Sequence, residues 1–135
     1  MFLLDTDILS NLLKPSPSTR LLSKLASVPE DQKFTSSINL GEMFFGAFLV
    51  QLRTDHLLDQ IQRQVLNNMA IIPFDAPAAR LYGELRAHLQ RQGLPIGDAD
   101  TQIASIALSR NLMTVTGNVR HFQRIPELSV ENWLE

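Results

Sequence analysis

Three carboxylates in this chain stand where an acid is hard to explain as surface decoration: Asp5, Glu42 and Asp100. Asp5 closes the apolar run Phe2-Leu3-Leu4. Glu42 is the only charged residue between Lys33 and Arg53, inside the stretch SSINLGEMFFGAFLVQL. Asp100 lies at helical spacing from Ile103, Ala104 and Ala107, an inward-facing set. An acid at an inward position must be neutralised, hydrogen-bonded or bound to a cation, because an unpaired buried charge is costly. Gathered without a basic partner, such acids raise one another's pKa or recruit a cation. The only lysines are Lys14, Lys24 and Lys33, all early in the chain. There is no cysteine, and His56, His88 and His121 lack zinc-like spacing. An all-oxygen donor set of this kind suits Mg²⁺ or Mn²⁺.

The neighbouring acids have plainer roles. Asp7 precedes ILSNLL and is placed to cap a short helix, whereas Asp5 has no such role. Asp98 shares a polar helix face with Gln102, Ser105 and Ser109 and suits the positive end of the helix. Asp75 is a helix cap.

The elements that must position the three acids follow from hydrophobic pattern and punctuation. Residues 2–4 read as a buried strand and 8–13 as a short helix stopped before Pro15 and Pro17. Helices follow at 19–27, at 38–51 behind a Ser37 cap, and at 55–68. Residues 70–74 form a strand, and Asp75 opens a helix ending near Gln92 with Gly93 as its C-terminal cap. A helix from 98 to 109 leads into the strand 112–115, and a last short strand includes 128–130. Short apolar strands alternating with helices predict a three-layer α/β/α sandwich around a mainly parallel sheet. Ligands of such folds bind at the carboxyl ends of the strands. Asp5 and Asp7 sit at such an end, and so do Thr116 and Asn118.

At 135 residues and 44% hydrophobic, the chain fits one domain spanning residues 1–135. Its formal net charge of −2 excludes a global basic field, so any nucleic-acid contact is local or carried by metal ions. The apolar run at the N-terminus is too short for a signal peptide or membrane span, so a cytoplasmic location and no membrane association are expected.

Four segments together resemble the PIN-domain family, and within it the VapC-type toxin endoribonucleases. They are LLDTDILSNLL at 3–13, SSINLGEMFFGA at 36–47, IGDADTQIASIAL at 96–108 and TVTGNVRHFQRIPELSVENW at 114–133. Their order and spacing match along essentially the whole chain. The resemblance implies a metal-dependent endoribonuclease, an RNA substrate, a homodimer, and inhibition by a small cognate antitoxin bound across the active-site groove. It makes Asp5, Glu42 and Asp100 the catalytic metal ligands, with Mg²⁺ or Mn²⁺ bound. Thr6, Asp7, Asp98, Thr116, Asn118 and His121 are then candidates to support those ligands, Asn118 through its carbonyl or a water. His121 stands where the family usually has an acid. Arg120 and Arg124, in NVRHFQR, are candidate phosphate contacts.

Two other chemistries begin with the same residues. A strand followed by Asp-x-Asp also resembles haloacid-dehalogenase-type phosphatases, but their aspartyl phosphate needs a downstream lysine, and none follows Lys33. A response-regulator receiver fails on the same absence. A PIN nuclease acting outside toxin–antitoxin systems, and a metal- or partner-binding scaffold without turnover, are the remaining alternatives.

Overall fold

The computed structural model describes residues 1–135. Five strands form one sheet in the order β3-β2-β1-β4-β5, every neighbouring pair parallel. The strands are β1 (Phe2–Leu4), β2 (Lys33–Ser36), β3 (Ala70–Ile72), β4 (Met113–Val115) and β5 (Val130–Glu131). The helices are α1 (Thr6–Leu12), α2 (Thr19–Ala26), α3 (Ser37–Leu49), α4 (Thr54–Ile61), α5 (Ala76–Arg91), α6 (Asp98–Arg110) and the short turn α7 (Val119–Phe122). The sheet is thus wholly parallel rather than mainly so.

Adjacent residues of a strand point to opposite faces, and β1 shows what this does. Leu3 packs with Leu85 and Leu89 of α5 and with Ile103, Ile106 and Ala107 of α6. Leu4 packs on the other face with Ile8, Leu9, Leu21, Met43 and Ile61, from α1 to α4. Both leucines are fully buried, so the central strand is covered by helices on each side. This is the three-layer sandwich.

The expected elements appear with small shifts. The first helix begins at Thr6, two residues earlier than its apolar pattern suggests. Ser36 rather than Ser37 caps α3, accepting from the Asn39 amide at 3.1 Å. The helix expected over 55–68 is α4 continued by a wider π turn over Gln62–Leu66. Asp75 caps α5 as expected, accepting from the Ala78 amide, and Gly93 just past its end has φ +68°. Strand β2 and the turn α7 escape the pattern, since Lys33-Phe34-Thr35-Ser36 has one apolar residue and α7 is a single turn. No helix is long and apolar enough to cross a membrane.

Strand order reverses at β1: the chain first builds outward through β2 and β3, then returns to β1's other edge with β4 and β5. A parallel α/β sheet opens a crevice at the carboxyl ends of its strands at such a reversal. Asp5 leaves β1 there and Thr116 leaves β4 there.

Candidate active site

Asp5 is the buried centre of that crevice, with 7% of its surface exposed. Its backbone is extended, and its Oδ1 accepts from the Thr6 amide at 2.8 Å, which makes Asp5 itself the N-cap of α1. The expectation that Asp7 caps this helix is therefore corrected: α1 starts directly after the strand, leaving Asp7 in its first turn. The cap does not exhaust Asp5. Its Oδ1 also accepts from Asn39 Nδ2 at 2.9 Å, and its Oδ2 from the Thr116 hydroxyl at 2.8 Å. Burial above all, helped by the nearby charges of Asp7 and Asp100, pushes the Asp5 carboxyl up to about 6 against the lowering pull of the Thr116 and Thr6 hydrogen bonds.

Asn39 is the functional residue that sequence reasoning missed. It is fully buried in the first turn of α3 and joins three residues at once. Its amide nitrogen reaches Asp5 at 2.9 Å and the Thr6 hydroxyl at 3.0 Å, while its Oδ1 accepts from Ser36 Oγ at 2.6 Å. Thr6 in turn donates to Glu42 Oε1 at 2.6 Å. The signal lay in the sequence: Asn39 and Glu42 are three apart on one apolar helix, hence on one face. Asn39→Ala removes the donor that orients Asp5, so it is expected to weaken Mn²⁺ binding about 10- to 100-fold, measured by calorimetric titration.

Glu42 departs from expectation. An apolar helix of this kind suggests burial all round, yet Glu42 is exposed. The outer face of α3 is itself open to solvent, with Phe45 69%, Phe48 61% and Leu49 68% exposed.

Asp100 sits half-buried on α6, on the face shared with the fully buried Ile103, Ala104 and Ala107, as its helical phase requires. Its Oδ2 lies 2.7 Å from Nδ1 of His121, which follows β4 in α7. His121, in the place where the family usually has an acid, is therefore a partner of Asp100, with its ring edge-on to Phe122. Asp98 is not part of the site. It is exposed, accepts from the Tyr82 hydroxyl and lies 3.5 Å from Arg86, tying the start of α6 to α5. Ser105 is also buried rather than solvated, its hydroxyl turned back to the Thr101 carbonyl at 2.7 Å.

The β4 exit closes the crevice. Thr116 is buried, and its Oγ1 also accepts from the Asn118 amide at 3.0 Å. Asp7 Oδ2 accepts from the Gly117 amide at 2.8 Å, and withdrawal of this carboxyl from water raises its pKa. Gly117 is needed here because a Cβ would lie 2.6 Å from that same oxygen and 3.3 Å from Leu134 Cδ1. Gly117→Ala is expected to lower stability by about 1–3 kcal/mol in thermal melts, and to reduce activity through Asp7 and Thr116. Arg120 and Arg124 are exposed beside this strand end and pair with no carboxylate.

The structure thus joins Asp5, Thr6, Asp7, Glu42, Thr116 and Asn118 in one hydrogen-bonded region, with Asp100 and His121 beside it. No lysine or arginine forms an ion pair with Asp5, Glu42 or Asp100. No three Asp, Glu or His side chains close tightly enough to cage an ion by themselves. The donor set nevertheless fits a hydrated hard cation, which keeps several waters and takes few carboxylates. Asp100 Oδ1 and Glu42 Oε2 have no protein partner, and Asp5 Oδ2 has one.

The chain is similar to known proteins along nearly its whole length. The PIN domain signature matches residues 2–128. The tRNA(fMet)-specific endonuclease VapC of Shigella flexneri is 33% identical over 132 residues, covering 98% of this chain and 97% of that protein. Toxin FitB of Neisseria gonorrhoeae is 31% identical over 126 residues, 90% of this chain and 91% of its own. In the crystal structure of VapBC2 from Rickettsia felis bound to a promoter DNA fragment, one chain superposes with a TM-score of 0.90. It is 32% identical, with 98% of each chain covered. Sequence and fold agree, and this chain belongs to the PIN-domain family, among its VapC-type members.

Proposed function

We propose that this chain is a divalent-metal-dependent endoribonuclease and the toxin of a toxin–antitoxin pair. The observation that carries the reading is the buried Asp5 carboxylate, pushed up to about 6 at a strand-end crevice where other acids gather and no cation of the protein answers them. In this reading Asp5, Glu42 and Asp100 hold Mg²⁺ or Mn²⁺. When bound there, the ion supplies positive charge against a phosphate oxygen and makes a neighbouring water a better nucleophile. The protein's own side chains do the positioning. Asn39 and Thr116 fix the Asp5 carboxylate from either side, Thr6 fixes Glu42, and His121 fixes Asp100. Arg120 and Arg124 take RNA phosphates outside the carboxylate cluster, so the acidic total charge does not prevent binding.

The partners come from the relatives. The Neisseria relative is named a toxin, and the Rickettsia relative was crystallised as a VapBC complex. A cognate antitoxin is the corresponding partner here, and a homodimer belongs to the same reading. The exposed Phe45, Phe48 and Leu49 give α3 an apolar face suited to a protein partner.

Purified protein incubated with single-stranded RNA and with DNA of the same sequence, each with Mn²⁺, tests the reading. Cleavage of the RNA at discrete internal bonds is expected, with arrest of RNA cleavage by a cognate antitoxin. Cleavage of DNA alone would place the chain among PIN nucleases of another role, and cleavage of neither would favour a scaffold.

A further inference from the structure

A pocket of about 320 Å³ opens on the Glu42 side of the site, and two of its lining residues, Thr6 and Glu42, belong to the site itself. Its wall is apolar, from Met43, Leu57 and Ile61, and Lys14 and Arg53 also line it. Neither cation has a carboxylate partner within ion-pair distance. Gly46 lines the same pocket from the interior of α3. Its backbone does not require glycine, since its φ is not positive, and an added Cβ would meet nothing within 4 Å. A glycine here weakens the helix and leaves open space where a side chain would stand in the pocket.

An occupant must offer apolar surface to Met43, Leu57 and Ile61, must continue into a group that lies beside Glu42, and must carry negative charge for Lys14 and Arg53. A nucleotide of single-stranded RNA meets all three conditions: its phosphates are anionic and its unstacked base presents apolar faces. We infer that this pocket is a nucleobase subsite. It receives the base next to the phosphate held at the carboxylates, with Lys14 and Arg53 on the flanking phosphates, and so contributes to the choice of RNA sequence. The inference rests on the nuclease reading above and names where that substrate is read.

The test uses full-length protein, Mn²⁺, and a single-stranded RNA that the enzyme cuts at one bond. An abasic ribose is placed in turn at each position flanking that bond. For the wild type, one abasic position is expected to lower kcat/KM about 5- to 10-fold, mainly through KM, the low end of what loss of a base contact costs because the wall is aliphatic rather than aromatic. Gly46→Leu, which fills the pocket without a clash at Cβ, is expected to cut the intact RNA as poorly as the wild type cuts that abasic RNA. It should lose nothing more when the base is removed. Lys14→Ala and Arg53→Ala should raise KM for every RNA in the series. Equal wild-type rates across the abasic series would overturn the inference while leaving the nuclease reading intact. Full base dependence retained in Gly46→Leu would also overturn it. A flat series combined with loss of antitoxin binding in Gly46→Leu would assign the pocket to a protein side chain instead. A wild type that cuts no RNA at all would remove both readings.

Discussion

Asp5→Asn is expected to abolish RNA cleavage while making the metal-free protein more stable. The two effects have one cause. Asp5 lies in a buried crevice, where burial pushes its pKa from 3.8 to about 6, and in the proposed reading a bound cation is what answers its charge. For a carboxyl whose folded pKa lies above its unfolded one, the stabilising contribution is fully present below the unfolded value. It is lost as pH rises through the folded value. Without divalent cation, wild-type stability should therefore fall between about pH 4 and pH 7 relative to Asp5→Asn, by about 2–4 kcal/mol. Asparagine avoids the buried charge and keeps an oxygen for the Thr6 amide, so denaturant melts at pH 7.5 in chelator should rank the variant above the wild type. Adding Mn²⁺ should narrow or reverse that order, because only the ionised wild type binds the ion. Activity should fall at least about 100-fold, the upper end of what disturbing a ligand's support already costs. A variant that is both inactive and less stable in chelator would mean that Asp5 serves chiefly as the helix cap.

The second large effect separates two acids one residue apart. Asp100→Asn should cost activity on the same scale as Asp5→Asn, because Asp100 faces the crevice and holds His121. Asp98→Asn should retain activity within about threefold, since its side chain points to Tyr82 and Arg86 on α5, at an exposed position where ion pairs contribute little. Asparagine can still accept from Tyr82. Steady-state kinetics on one RNA decides the pair. Comparable losses at both positions would show that α6 is anchored through Asp98 tightly enough to carry the site with it.

The contrast between Asp98 and Asp100 was legible in the sequence because α6 is a regular helix, and a phase of 3.6 residues per turn leaves little choice of face. Asp5 and Glu42 stood out because one closes and the other interrupts an apolar run, Asp100 stood out by its helical phase, and the fold was legible from short apolar strands between helices. Less accessible features depend on long-range contacts. Whether Asp5 or Asp7 caps α1 turns on where β1 ends, and the pairing of Leu4 with Val115 helps set that limit. Strand β2 carries too few apolar residues to announce itself, because its Thr35 and Ser36 are buried by hydrogen bonds: Thr35 donates to the Leu4 carbonyl and Ser36 to Asn39. Asn39 looks like an ordinary polar residue until β1 and α3 are brought together. The apolar surround of Glu42 suggested burial, but hydrophobic surface facing outward has the same composition as surface facing a core, and only the fold tells them apart.

In the proposed reading Asp5, Glu42 and Asp100 hold a divalent cation that RNA cleavage requires. Mn²⁺ titration calorimetry at pH 7.5, run beside RNA cleavage with and without EDTA on the same preparations, tests it most directly. Wild type and Asp98→Asn should bind Mn²⁺ and cut RNA only when the ion is present. Asp5→Asn and Asp100→Asn should lose both the binding heat and the cleavage. Cleavage that persists in EDTA, or in both carboxylate variants, would contradict the account.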